Sequence, residues 1–107
     1  MNIACINIKG KLGERLPQLD TIMEKRDIDI LILTETKIAI ELPELNIGKT
    51  KYYIASSGNQ YIGIGVMSRL PIQHQFIGKR TIKVTVCNRI IIGVYLPHEG
   101  SKDEETE

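Results

Sequence analysis

The sequence predicts an α/β domain: one mixed β-sheet in which a βαβ unit is followed by an antiparallel meander. Three observations carry that expectation. Isoleucine outnumbers leucine 19 to 9, and β-branched residues fit strands better than helices. Only one stretch, near 14–26, spaces its apolar residues for a helix. The remaining apolar runs are short and bounded by Gly, Pro, Asn and Ser, as strands are.

The elements follow in order. Residues 2–8 alternate, with Ile6 and Ile8 on one side and Cys5 and Asn7 on the other, which predicts a first strand. Lys9-Gly10-Lys11 reads as a turn. Leu16, Leu19, Ile22 and Met23 share a helical face, with Asp20, Glu24 and Lys25 opposite. Pro17 belongs in a first turn, so the regular helix is expected to start near Leu16. Asp27 to Leu33 is the second strand; its core from Ile30 to Leu33 is apolar on both faces, which suits a buried parallel strand. Thr34-Glu35-Thr36-Lys37 then falls at that strand's carboxyl end, where α/β folds place ligands.

Residues 38–50 carry the breakers Pro43 and Gly48 and are expected to be irregular. Lys51–Ala55, Tyr61–Ser68, Ile72–Ile77, Thr81–Val86 and Ile90–Leu96 are further strands, with Asn88-Arg89 as a tight turn. Gly63 and Gly65 inside a strand signal a bulge or close backbone approach.

Length allows one domain of 107 residues, assigned here to 1–98, with 99–107 as an acidic tail expected to be disordered. The tail EGSKDEETE holds five acids and one lysine, so the body carries 13 basic against 8 acidic residues. That moderately basic body is compatible with a polyanion partner. A single Phe, four Tyr and no Trp argue against an aromatic platform for single strands. No apolar run reaches the ~20 residues of a membrane helix, and the amino terminus has no basic leader. Cys5 and Cys87 lie in apolar runs and are expected to be buried, reduced thiols of an intracellular protein, nuclear or cytoplasmic. Lys79, Arg80, Lys83 and Arg89 read as surface charge around a hairpin.

Four segments in order resemble the exonuclease–endonuclease–phosphatase superfamily. These are Ile6-Asn7-Ile8-Lys9-Gly10, the strand ending Thr34-Glu35-Thr36-Lys37, Gly63-Ile64-Gly65-Val66-Met67-Ser68, and Ile92-Gly93-Val94-Tyr95-Leu96-Pro97. Within it, the sequence is most similar to exonuclease III type apurinic endonucleases and the endonuclease domains of non-LTR retrotransposons. The resemblance implies the N-terminal half of a four-layer α/β sandwich. It implies a Mg²⁺- or Mn²⁺-dependent hydrolase acting on DNA phosphodiesters. Glu35 then corresponds to the metal-binding glutamate, Asn7 to the asparagine beside metal and phosphate, and Tyr95 to a tyrosine near the phosphate.

Three departures accompany it. Lys9 stands where some apurinic endonucleases carry a metal-binding Asp, and His98 where an Asn often follows. The later Gly-Asp-x-Asn and Ser-Asp-His motifs have no counterpart here. The expectation is therefore a fragment with little activity alone, its inner sheet face exposed and open to self-association or to the missing half. A non-catalytic binding module or relic of the scaffold, and a lipid or nucleotide phosphatase, are the alternative readings.

Overall fold

The computed structural model describes residues 1–96. His98, the domain limit at 98 and the acidic tail lie outside the described residues. The elements are β1 (Ile3–Asn7), α1 (Leu12–Lys25), β2 (Ile30–Thr34), β3 (Ile40–Ile47), β4 (Thr50–Gly58), β5 (Gly63–Ser68), β6 (Gln73–Ile77), β7 (Thr81–Val86) and β8 (Arg89–Val94).

The α/β class and the mixed sheet are as the sequence predicts, and the meander divides between two sheets. The first has the order β1-β2-β5-β4-β3; the second, β6-β7-β8, is antiparallel. β1 and β2 run parallel, with Ile3 opposite Ile30 and Asn7 opposite Thr34, and α1 is their crossover. β2 then pairs antiparallel with β5.

Alternation along β2 explains the layers. Leu31 and Leu33 face a cluster with Leu12, Leu19 and Met23 of α1, joined by Tyr52, Ile54 and Met67. Ile30 and Ile32 face the opposite cluster, with Val66, Ile82, Val84 and Val86. A strand buried on both faces needs apolar side chains on both, and β2 has them from Ile30 to Leu33; its last residue, Thr34, is buried too and turns its hydroxyl to the Ile6 carbonyl. The molecule is thus helix, mixed sheet and antiparallel sheet in three layers.

That packing corrects one expectation. The inner face of the mixed sheet is covered by the protein's own second sheet. Exposure falls instead on β8, where Ile90, Ile92 and Val94 are each at least half exposed, and on Ile3 of β1. β1 and β8 are the outermost strands of their sheets. An apolar groove runs between them, lined by Ile3, Cys5, Ile32, Ile92, Gly93 and Val94. Cys5 and Cys87 are both exposed, contrary to the expectation of buried thiols. Cys5 lies on the side of β1 away from α1, and Cys87 sits in a turn.

Three local differences have simple causes. The helix begins at Leu12, earlier than Pro17 suggested, because Leu12 is a buried anchor at 2% exposure. Pro17 removes one donor, which would otherwise bond Gly13, and Gly13 is exposed to water. The helix closes without glycine: the Ile28 N–H reaches the Met23 carbonyl and the Asp27 N–H the Glu24 carbonyl, with Asp27 left-handed at φ 51°. Residues 40–47 form a strand despite Pro43, because β3 is an edge and the register slips between Leu42 and Leu45. The turn into β8 uses Cys87-Asn88, both at positive φ, which matches the twist of a two-residue hairpin.

The amino-terminal ends of β1 and β2 are tied by charge. Arg69 Nη2 donates to Asp27 and Asp29 at 2.8 Å each, and the Asn2 N–H donates to Asp29 at 2.9 Å. The Asn2 bond, with help from Arg69, holds the Asp29 carboxyl below its ordinary pKa. A depressed carboxyl stabilises the fold above its unfolded pKa of about 3.9, and that contribution is lost as pH falls through the lower folded value. Thermal melts across the acid range are expected to show this loss in the native protein. In Asp29→Asn, stability at neutral pH drops and the acid limb flattens.

Candidate functional site

The site lies at the carboxyl ends of β1 and β2, where the last residue of β8 leads into it. Asn7 ends β1 opposite Thr34. Beyond them the Gly10 N–H bonds the Glu35 carbonyl at 2.6 Å, so the two loops advance together. Backbone strain gathers here. Lys9, Gly10, Lys11, Glu35 and Lys37 all have φ between 52° and 80°, a region that is costly for residues with a Cβ and that clusters at functional sites.

Burial fixes the Glu35 loop. Thr36 is fully buried, its hydroxyl hydrogen-bonded to Ser56 at 2.6 Å, and Ser56 also donates to the Ile38 carbonyl at 2.7 Å. Gly63 makes room for it: a Cβ there would stand 2.1 Å from Thr36 Oγ1 and 2.7 Å from the Lys37 nitrogen. The close approach expected at Gly63 is thus real, and what approaches is the site loop.

The second sheet reaches the site through Tyr95, which is 7% exposed. Its phenol donates to Glu35 Oε1 at 2.8 Å. Its N–H bonds the Arg80 carbonyl at 2.8 Å, which places the β6–β7 turn beside it. Arg80 is half-buried, with Nε and Nη2 shielded from solvent. Sequence reasoning placed Arg80 among surface charges, and no local signal marks it as different from Lys79.

The structure therefore joins Glu35 to Tyr95 directly and sets Asn7 at the adjoining strand end. Asn7 is exposed, and its Oδ1 accepts the Lys9 N–H at 3.0 Å, leaving the amide nitrogen as its available donor. Lys9, Lys11 and Lys37 are exposed and form no ion pair among the described residues.

Does this donor set fit Mg²⁺? The ion wants six oxygens in a tight octahedron. Glu35 is the carboxylate that the two loops supply among the described residues, and one of its oxygens already accepts from Tyr95. The Asn7 oxygen accepts an N–H. Among the described residues, no three of His, Cys, Asp and Glu gather to hold a metal. The residues present do not fit a self-sufficient metal centre.

No family model matches the chain, and no curated protein is significantly similar to it. Solved structures are. A 3′ phosphatase from Neisseria bound to a product DNA hairpin is 28% identical, with a TM-score of 0.71 over 89% of this chain and 41% of its own. An AP endonuclease from Archaeoglobus fulgidus is 22% identical, with a TM-score of 0.71 over 91% of this chain and 42% of its own. Both are members of the exonuclease–endonuclease–phosphatase superfamily, and the resemblance read from the four motifs is borne out in the fold. The chain spans about two-fifths of the length of these structures. No helix in the described residues is long and apolar enough to cross a membrane.

Gly63→Ala is expected to destabilise the protein by about 1–3 kcal/mol, because overpacking strains backbone that cannot move away. In amide spectra its largest shifts should fall on Thr36 and Lys37. Gly13→Ala meets nothing within 4 Å and should instead be neutral or stabilising by up to about 1 kcal/mol in urea unfolding.

Proposed function

We propose that this chain is the amino-terminal half of a phosphoester-hydrolysing domain that acts on DNA, and that it does not complete the reaction by itself. The Glu35–Tyr95 bond carries the reading: it joins a loop of one sheet to a strand end of the other, at the strand ends, in a fold shared with DNA-processing enzymes. Glu35 is the acidic group of the half-site. Asn7 offers its amide N–H to a phosphate oxygen. Tyr95 has one phenolic proton and gives it to Glu35, so its role is to orient the carboxylate.

Nucleases of this superfamily typically use divalent metals. A Mg²⁺ or Mn²⁺ ion at Glu35 would draw its other ligands from outside this chain. Hydrolysis also needs a base to activate water. His74, the histidine among the described residues, lies on β6 against Glu41 and Phe76, outside the Glu35 loop. The open edges of β1 and β8, with Ile90, Ile92 and Val94, are the surface that a missing half or a second copy would cover.

The reading as a non-catalytic binding module is favoured by one observation: the two loops at the site carry three exposed lysines, and no cluster of metal-ligating side chains forms among the described residues. Nicking of supercoiled and abasic DNA tests the main reading. The 107-residue chain is expected to give no cleavage above buffer with Mg²⁺ or Mn²⁺. Clear Mg²⁺-dependent cleavage that Glu35→Ala abolishes would overturn it.

A further inference from the structure

A site that the superfamily would supply with a divalent cation has, in this chain, lysines in both of its loops: Lys9 and Lys11 in one and Lys37 in the other. We propose that the half-site binds a phosphate anion directly, without a divalent metal, with Lys9 and Lys37 as its principal charges and Lys11 at its rim. This rests on the reading of Asn7 and Glu35 as the phosphate-facing end of the fold.

Four observations converge on it. First, Lys9 and Lys11 stand in the loop after β1 and Lys37 in the loop that holds Glu35, so the two joined loops carry three lysines and one carboxylate. Second, the loops are physically joined. The Gly10 N–H bonds the Glu35 carbonyl, and the Lys37 stem lies over Gly10, where a Cβ would come within 3.3 Å of Lys37 Cδ. Lys37 is thereby brought onto the turn formed by Lys9 and Lys11. Third, all three lysines are exposed and none forms an ion pair within the described residues. Fourth, the Asn7 oxygen is engaged by the Lys9 N–H, so the amide N–H is what this exposed side chain has left to offer.

Donors and unpaired positive charge suit an anion. They oppose Mg²⁺, which would meet repulsion from three lysines with one partly engaged carboxylate to offset it. Lysine is a point charge that grips phosphate without demanding fixed geometry. Lys9 therefore does more than vacate a metal-ligand position: it reverses that position's sign, and the seat takes the charge-neutralising part that a cation would otherwise play. Its ligand is a phosphate, either a terminal monoester or a backbone diester.

Amide spectra of the full chain, titrated with inorganic phosphate in EDTA, test this. Saturable shifts are expected at Asn7, Lys9 and Lys37, and replacing EDTA with Mg²⁺ should leave the midpoint unchanged. Lys9→Gln and Lys37→Gln should each weaken binding by about two- to fivefold, the range of an exposed charge contact. Lys51→Gln, on the β3–β4 hairpin where Lys51 pairs with Glu44, should not. Lys9→Asp should remove phosphate binding and allow Mn²⁺ to broaden the Asn7 and Glu35 signals.

Dimethyl phosphate separates the sources: a weaker response than inorganic phosphate assigns the seat to a terminal phosphate, a stronger one to a backbone diester. The proposal is overturned if phosphate binds only with Mg²⁺, if Lys51→Gln weakens it as much as Lys9→Gln, or if Mn²⁺ broadens Glu35 in the unsubstituted protein. Cleavage of DNA by the chain alone would sink the half-enzyme reading and leave this binding result standing, so the two can fail separately.

Discussion

Everything at the strand ends depends on two sheets lying face to face across Ile30, Ile32 and Val66 on one side and Ile82, Val84 and Val86 on the other. Burying each of these side chains stabilises the fold by about 1.5–3 kcal/mol. Gly93 lets β8 come close: a Cβ there would be 2.8 Å from Ile32 Cγ2 and 3.0 Å from Ile82 Cγ2. Only with β8 at that depth does Tyr95 arrive within hydrogen-bonding distance of Glu35. The site is a product of sheet packing, since neither sheet contains it alone.

The same packing explains where apolar surface is left exposed among the described residues. Faces that meet are covered, while the outermost strands β1 and β8 leave backbone edges and apolar side chains at one groove. The solved relatives are more than twice as long as this chain. The scaffold can fold around its own two clusters because α1 seals the outer face of the mixed sheet and β6–β8 the inner one.

Much of the fold was legible because its signals are local. The unbroken apolar run of β2 predicts burial on both faces, and Thr81–Val86 appears as the strand read from its alternation. Other parts were not, because tertiary context decides them. Pro43 reads as a breaker until β3 is known to be an edge. Pro17 reads as a helix start until Leu12 is seen to be buried. Alternation cannot say which sheet a strand joins, so the division of the meander stayed hidden. Cys5 resembles a core residue in sequence, but the side of β1 it occupies has no layer over it. At the site, Glu35 and Tyr95 were named from motifs, and their contact across 60 residues of sequence comes from the packing. The shielded Arg80 guanidinium and the Lys37 stem over Gly10 are products of loop approach that no spacing rule encodes.

The central claim is that the Tyr95–Glu35 hydrogen bond couples the two sheets and sets the site. A double-mutant cycle with Glu35→Gln and Tyr95→Phe, read by urea unfolding, measures that coupling apart from the effect of either substitution alone. A hydrogen bond to a charged group predicts a coupling energy of about 1.5–3 kcal/mol, with the second substitution costing little once the first is made. Additive losses, with no coupling beyond error, would contradict the account and leave Glu35 and Tyr95 as neighbours without a shared function.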